Sequence, residues 1–385
     1  MKKNLNPNNI FQRFKGLFSI GLSDALAAGI SSLFWIYMAT IIGPESYGEL
    51  FYLFAIGNIA ISISLLGSKS TLMVYVPKNI KLESTLFLIV IIFSLITTLI
   101  VFLIYSNYEI GLYIFGGVIF GLGGTELLAK KLYTNSFVLL MIQKSLMVVL
   151  SIGLYYYIGL PGVILGIGFS FLPYLLIVIK EFKTTQINFS LLKPRFIFIS
   201  GAFGQNLLAN LSSQVDKLFI APMLGFILLG NYQLSLQFIA VFQLLPFIIM
   251  KFILPHDASG NPNRNLKIIS ILTSICLTGL IILVAPLVIP ILFEGFTHVV
   301  ELIQILSLSL IPLSVSTIYT SQLLGAEKSK TVIIGSIISF VTSILGIIIL
   351  GNIFGIIGIT VSYVLAMSVL CVFFLIIDLK KINFN

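Results

Sequence analysis

Charge is scarce in this 385-residue chain, with only 9% Asp, Glu, Lys and Arg. A water-soluble domain carries about 25%. With 58% hydrophobic residues and a mean hydropathy of +1.12, the chain falls outside that class. Cysteine is almost absent. Cys276 and Cys371 lie inside apolar runs without metal-ligand spacing, which argues against a disulfide framework or a thiolate metal centre. No metal and no cofactor is expected. A glycine–lysine phosphate loop of the nucleotide-hydrolase type is missing too. Energy must then come from an ion gradient, the membrane potential or the substrate's own gradient. Arginine is missing from every apolar run, and basic residues are missing from every second connector.

That last absence orders everything else. All but two of the 22 Lys and Arg fall in alternate connectors: Lys2, Lys3, Arg13 and Lys15; Lys69, Lys78 and Lys81; Lys130 and Lys131; Lys180, Lys183, Lys193 and Arg195; Lys251, Arg264 and Lys267; Lys328 and Lys330; Lys380 and Lys381. The connectors between them hold Glu45, Glu49, Glu109, Glu294, His298 and Glu301 and no basic residue. Basic loops stay cytoplasmic, so both termini are expected there, with an even number of crossings. A crossing needs about 20 apolar residues. Twelve are predicted, near 17–42, 49–66, 85–105, 110–128, 135–158, 161–179, 197–223, 227–250, 268–292, 299–322, 331–350 and 354–377. The net charge of +9 is explained by orientation beside an anionic leaflet, and nucleic acid is not expected as a partner. The apolar run beyond Gly16 is too long for a signal-peptide core and is read as a retained first span. Ile10, Phe11, Phe14, Leu17 and Phe18 before it suit an amphipathic interfacial helix.

The chain looks doubled. Gly43 and Gly48 close the first span as Gly225 and Gly230 close the seventh, at an offset of 182, and glycine there permits a reversal with φ > 0. Gly162 to Gly166 before Ser170 is echoed by Gly355 to Gly358 before Ser362. The expected fold class is therefore an all-α polytopic membrane protein, its twelve helices forming two six-helix lobes, 1–187 and 188–385. An even number of spans per lobe makes this a parallel repeat, as in many transporters.

Polar groups at membrane depth point to function by default. Asn206, Asn210, Ser213 and Lys217 lie on one face of the seventh span, with Gln214 at its border. Subtracting the offset gives Asp24, Ala28, Ser31 and Trp35 on one face of the first. A cavity between lobes is the expected destination of both faces. Interhelical hydrogen bonding is the competing reading of such stripes. Asp216 and Lys217 should point about 100° apart and so not share a cavity. Asp216 either pairs with a neighbouring helix or, with Asp24, is a candidate for ion coupling. Lys144 is expected to snorkel. Glu126 and Lys130, at i and i+4, read as an ordinary surface pair. Pro173, Pro246, Pro286, Pro290 and Pro312 should bend their spans.

These residues resemble a known group. Ile41-Ile42-Gly43-Pro44-Glu45-Ser46-Tyr47-Gly48 is similar to the first-span ending of the polysaccharide (Wzx-type) flippases, within the multidrug/oligosaccharidyl-lipid/polysaccharide exporter superfamily. Asp216-Lys217-Leu218-Phe219-Ile220 resembles their seventh-span run. Pro286 to Phe293 and Phe354 to Gly358 resemble the ninth-span end and the twelfth-span start. The second-half turn lacks the Pro-Glu-x-Tyr pattern, and no span holds an arginine of the kind some flippases use to hold a diphosphate, which leaves the headgroup chemistry open. The resemblance implies a cell-membrane flippase that moves a polyprenyl-(di)phosphate-linked oligosaccharide outward for surface polysaccharide synthesis. Membrane lipids would be its partners, and H⁺ or Na⁺ a candidate coupling ion. Lys217 would attract phosphate, with Asn206, Asn210, Gln214, Ser31 and Trp35 lining the substrate path. An ion-coupled small-molecule extruder is the alternative. A membrane glycosyltransferase or polymerase fits less well, because no outer connector is long enough to hold a catalytic domain.

Overall fold

The computed structural model describes the backbone of residues 7–258, 264–325 and 328–382, and the side chains of 23–244, 267–323, 328 and 330–378. The side chains of Ile10 to Phe18, Pro246, Lys251, Arg264, Lys380 and Lys381 lie outside the described residues, as do Lys2 and Lys3 altogether.

Every regular element among the described residues is a helix. They are α1 (Pro7–Leu65), α2 (Ser68–Tyr75), α3 (Glu83–Tyr105), α4 (Tyr108–Ala129), α5 (Tyr133–Ile158), α6 (Leu160–Ser170) and α7 (Leu175–Thr184). After them come α8 (Phe196–Leu224), α9 (Phe226–Ala258), α10 (Arg264–Leu292), α11 (Val299–Ser307), α12 (Leu310–Gly325) and α13 (Ser329–Ile382). α1 breaks at Gly43 (φ 75°, ψ 170°) and α13 at Gly355 (φ 58°, ψ −136°). Each of these two helices therefore makes two passes. With α6–α7 and α11–α12 each forming one pass, the described residues make the twelve passes expected. Among the described residues, nine stretches are long and apolar enough to cross a membrane. α8 falls outside that set because Asn, Gln and Ser dilute its apolar residues.

Packing divides the chain into two compact units that do not coincide with its sequence halves: 1–30 with 52–214, and 31–51 with 215–385. In the first, α4 is the central helix. Two-thirds of its membrane window is buried, against about a fifth for α3. Composition explains the difference. α3 is almost all Leu, Ile, Val and Phe, with a mean hydropathy of 3.2, and turns side chains such as Leu103 and Ile104 outward. α4 is studded with glycine, and bulky neighbours settle into the gaps: Phe171 on Gly116, Ile61 on Gly117 and Tyr174 on Gly123. In hydrocarbon, close contact of this kind replaces the hydrophobic effect as the force between helices. Pro173 sits in the short 3₁₀ turn Leu172–Tyr174 that separates α6 from α7, so this pass bends where the sequence predicts.

In the second unit the paired glycines have two different jobs. Gly43 (φ 75°) and Gly225 (φ 87°) make the reversals. Gly48 and Gly230 instead face each other across a helix crossing. A side-chain carbon on Gly48 would overlap the Phe226 carbonyl, and one on Gly230 would overlap the Pro44 carbonyl. Pro44 and Phe226 are themselves 182 residues apart, so the contact is reciprocal. The 5–6 and 11–12 hairpins repeat as well, one in each unit, but in a different register from the sequence reading. Gly159 and Gly355 both have positive φ. Gly162 presses on the Leu154 carbonyl as Gly358 presses on that of Leu350. The structural offset there is 196, one helical turn from the 192 read off the glycine strings.

Filling the crossing should be costly. Gly48→Ala and Gly230→Ala are each expected to destabilise by about 1–3 kcal/mol, the scale of overpacking, seen as a lower melting temperature in detergent. Combining them should cost less than the sum, because both changes spread the same two helices. Gly153→Ala, whose new carbon meets open space, should leave the melting temperature unchanged.

Candidate functional site

The predicted site residues divide between the units. Asp24, Asn206, Asn210 and Gln214 belong to the first; Ser31, Trp35, Asp216 and Lys217 belong to the second. Asp24 is exposed at its place in α1. Asn206 donates from Nδ2 to Ser70 Oγ at 3.3 Å, tying α8 to α2. The same interface seats Gly67 against the backbone of residues 199–203 and stacks Tyr75 edge-on to Phe198, 5.4 Å between ring centres. Gln214 donates from Nε2 to Ser213 Oγ at 3.1 Å, and Asn210 is half-buried. Ser31 is half-buried as well. Trp35 packs among Phe34, Phe51 and Tyr47, with ring centres 4.9, 4.7 and 6.2 Å away. Tyr47, the tyrosine of the first-span motif, is fully buried, and Phe296 lies 6.0 Å from it.

The charged pair in α8 behaves differently from the sequence expectation. Lys217 is 7% exposed, and its Nζ donates to Asp216 Oδ1 at 3.1 Å. The same oxygen accepts the Lys217 backbone N–H at 2.8 Å. Their Cβ atoms diverge, but four methylenes let the ammonium fold back across the arc. Tyr232 of α9 and Tyr363 of α13 lie near Asp216, and Tyr363 receives a hydrogen bond from Gln243 Nε2 at 3.4 Å. Three helices thus bring a carboxylate, an ammonium, two phenols and an amide into one buried region of an apolar unit. Such groups are retained in a membrane interior only when they are paired, and they commonly mark a transport path. Tyr232 and Tyr363 gave no signal in the sequence beyond being two of fifteen tyrosines.

A second polar cluster corrects the surface pairing expected for Glu126 and Lys130. Glu126 is 1% exposed, and Lys130 Nζ lies 2.9 Å from its Oε1 and 2.7 Å from Glu181 Oε2. Glu83 of α3 completes a set of three buried carboxylates whose oxygens lie within 4.8 Å of one another. Burial disfavours the Lys130 ammonium, but its bonds to Glu181 and Glu126 outweigh this and hold it above the ordinary lysine range. A cavity of about 470 Å³ opens beside the cluster, lined by Lys81, Glu83, Lys130, Lys131 and Glu181 among others. Only the i, i+4 pair was legible in sequence; Glu83 and Glu181 arrive from helices 43 and 55 residues away from Glu126.

No protein-family model and no curated protein sequence matches the chain. Solved structures do. It is similar to the lipid II flippase MurJ in an inward closed conformation, at a TM-score of 0.78 and 12% identity over 93% of this chain and 86% of that one. It is also similar to an inward-facing multidrug-resistance MATE transporter of the MOP superfamily, at 0.67 and 14% over 93% and 94%. A MOP superfamily transporter from Pyrococcus furiosus matches at 0.65 and 13% over 96% of both chains. The all-α polytopic fold class expected from the sequence is therefore the one the chain has, and these three solved structures are transporters.

Lys217 and Asp216 depend on each other in this setting. Asp216→Ala should destabilise by about 3–5 kcal/mol, because it takes a paired carboxylate from a buried cation. Adding Lys217→Met should restore most of the lost melting temperature.

Proposed function

We propose that this chain is a cell-membrane flippase that carries a polyprenyl-(di)phosphate-linked oligosaccharide from the inner to the outer leaflet, for surface polysaccharide synthesis. Two six-helix lobes, 1–187 and 188–385, would alternate access to the substrate. The termini and the basic connectors would face the cytoplasm. Lys217 attracts the phosphate; Asn206, Asn210, Gln214, Ser31 and Trp35 meet the sugars; the polyprenyl tail stays in lipid. Asp24 and Asp216 are the candidates for coupling to H⁺ or Na⁺.

The observation that carries this reading is the buried Asp216–Lys217–Tyr232 group in α8 and α9. Lys217, a cation at membrane depth paired with the Asp216 carboxylate, can meet an incoming phosphate. Support also comes from the fold, which overlays a lipid II flippase at a TM-score of 0.78. A small-molecule extruder is the second reading, supported by MATE transporters that cover 96% of this chain at matching length. Cells lacking the protein would then accumulate a cationic dye.

Flipping of a defined lipid-linked sugar by the purified protein in vesicles is the direct test. Lys217→Glu should abolish flipping, and Lys217→Ala should slow it at least tenfold at equal protein levels. In cells the same changes should trap lipid-linked units inside spheroplasts. Unchanged glycan export with both variants would sink the proposal.

A further inference from the structure

The carboxylate cluster at the basic end of the first unit has more negative charge than its own lysine neutralises. Glu83, Glu126 and Glu181 are each at least 94% buried, and among the described residues Lys130 is the cation paired with them, reaching Glu126 and Glu181. Glu83 Oε2 and Glu126 Oε2 are buried without a hydrogen-bond partner. An unpaired carboxylate oxygen in the interior costs several kcal/mol unless it is protonated or meets a cation. Helix ends add to the imbalance. Glu126 and Glu181 stand in the last turns of α4 and α7, where the backbone dipole is already negative. Only Glu83, in the first turn of α3, enjoys a favourable helix end.

The surrounding backbone is fastened as a rigid support. Ser84 Oγ donates to the Glu181 carbonyl at 2.9 Å, its N–H reaches Thr185 Oγ1 at 3.2 Å, and the Asn188 N–H reaches Thr85 Oγ1 at 2.8 Å. The start of α3 is thereby locked to the end of α7. The adjoining cavity of about 470 Å³ gives water and ions a way in.

We infer that Glu83, Glu126 and Glu181 form a binding site for one hard divalent cation at the floor of this cavity. The three oxygens lie within 4.8 Å of one another, close to what a central ion with calcium-like bonds of about 2.3–2.6 Å requires. Magnesium, at about 2.0–2.1 Å, would need the side chains to close further. Two net negative charges, three carboxylates less one ammonium, match one divalent ion. Lys130 is one-third exposed and free to swing toward the cavity when the ion arrives. The bound ion would staple the third, fourth and sixth passes together at this end of the unit.

The test uses the full chain in detergent, stripped of metal and titrated with Ca²⁺ alone and with Mg²⁺ alone by calorimetry. About one equivalent should bind, with Ca²⁺ tighter than Mg²⁺. Glu83→Gln, a near-isosteric neutral change, should weaken binding at least tenfold. Lys130→Met removes the competing ammonium and should bind as tightly as wild type or tighter. Ca²⁺ should raise the melting temperature of the wild type but not of Glu83→Gln. No saturable uptake by the wild-type chain would overturn the inference and would mean that Glu126 is simply protonated. Uptake that survives Glu83→Gln unchanged would overturn it as well. Either failure leaves the flippase reading standing, because none of these residues belongs to the Asp216 group.

Discussion

Hydrocarbon supplies no hydrogen-bond partner to a backbone, so a chain that lives there must bond each peptide group within its own segment. That constraint leaves helices as the only regular element among the described residues, and it also removes the usual force between them. Lipid is as apolar as leucine, so helices gain by touching closely rather than by leaving a solvent. The fold therefore turns on where side chains are absent. Gly48 and Gly230 bring two helices within backbone contact, and the glycine face of α4 receives Phe171, Tyr174 and Ile61. The large residues around them are interchangeable apolar volume by comparison, and many, such as Leu283 and Ile291, simply face outward.

The same medium makes each buried charge expensive, and the chain keeps very few. Where they remain they are gathered from several helices and paired. Asp216 takes two bonds from Lys217. Glu126 and Glu181 share Lys130. The two groups differ in balance. In the Asp216 group the carboxylate is met by the Lys217 ammonium 3.1 Å away. In the Glu126 group acid outnumbers base. An excess of one sign in a buried place asks for an outside ion, whereas a matched pair asks only for a competitor. Under the proposed function the first would meet a passing phosphate, and the second is the inferred seat of a resident cation.

The architecture was legible because its causes are compositional. Alternation of basic connectors with apolar runs of about 20 residues gives twelve passes without reference to packing, and the positive φ of Gly43 and Gly225 follows from glycine at a forced reversal. The sites were less legible because they are made by side-chain reach and by partners distant in sequence. The stripe of Asn206, Asn210 and Lys217 could be counted on a helical wheel, but the folding-back of Lys217 onto its neighbour could not. Helical periodicity assigns directions to Cβ atoms, and lysine's ammonium sits four methylenes beyond. Glu126 read as a surface residue for a related reason. Its i+4 partner was visible, while the burial came from Glu83 and Glu181, which only the packing of α3 and α7 onto α4 brings near.

The repeat itself carries a further lesson. Between the glycine crossing and the last hairpin, the offset between copies grows from 182 to 196. The added residues fall in the third and fourth passes of the second copy and in the turn between them: α10 has 29 residues where α3 has 23, residues 293–298 stand where 106 and 107 do, and α11 with α12 replaces an unbroken α4 of 22. The copies diverge in kind there as well. α4 is smooth and glycine-rich, whereas its counterpart breaks near Leu308 and is held by hydroxyls. Thr278 bonds the Ser307 carbonyl at 3.0 Å, and Ser274 pairs with Ser314. A helix packed through glycine gaps resists sliding, because each gap fits one neighbour. A broken helix tied by hydroxyls can exchange one acceptor for another at little cost. If one copy moves more than the other during transport, the physical chemistry of these two helices assigns that motion to the second.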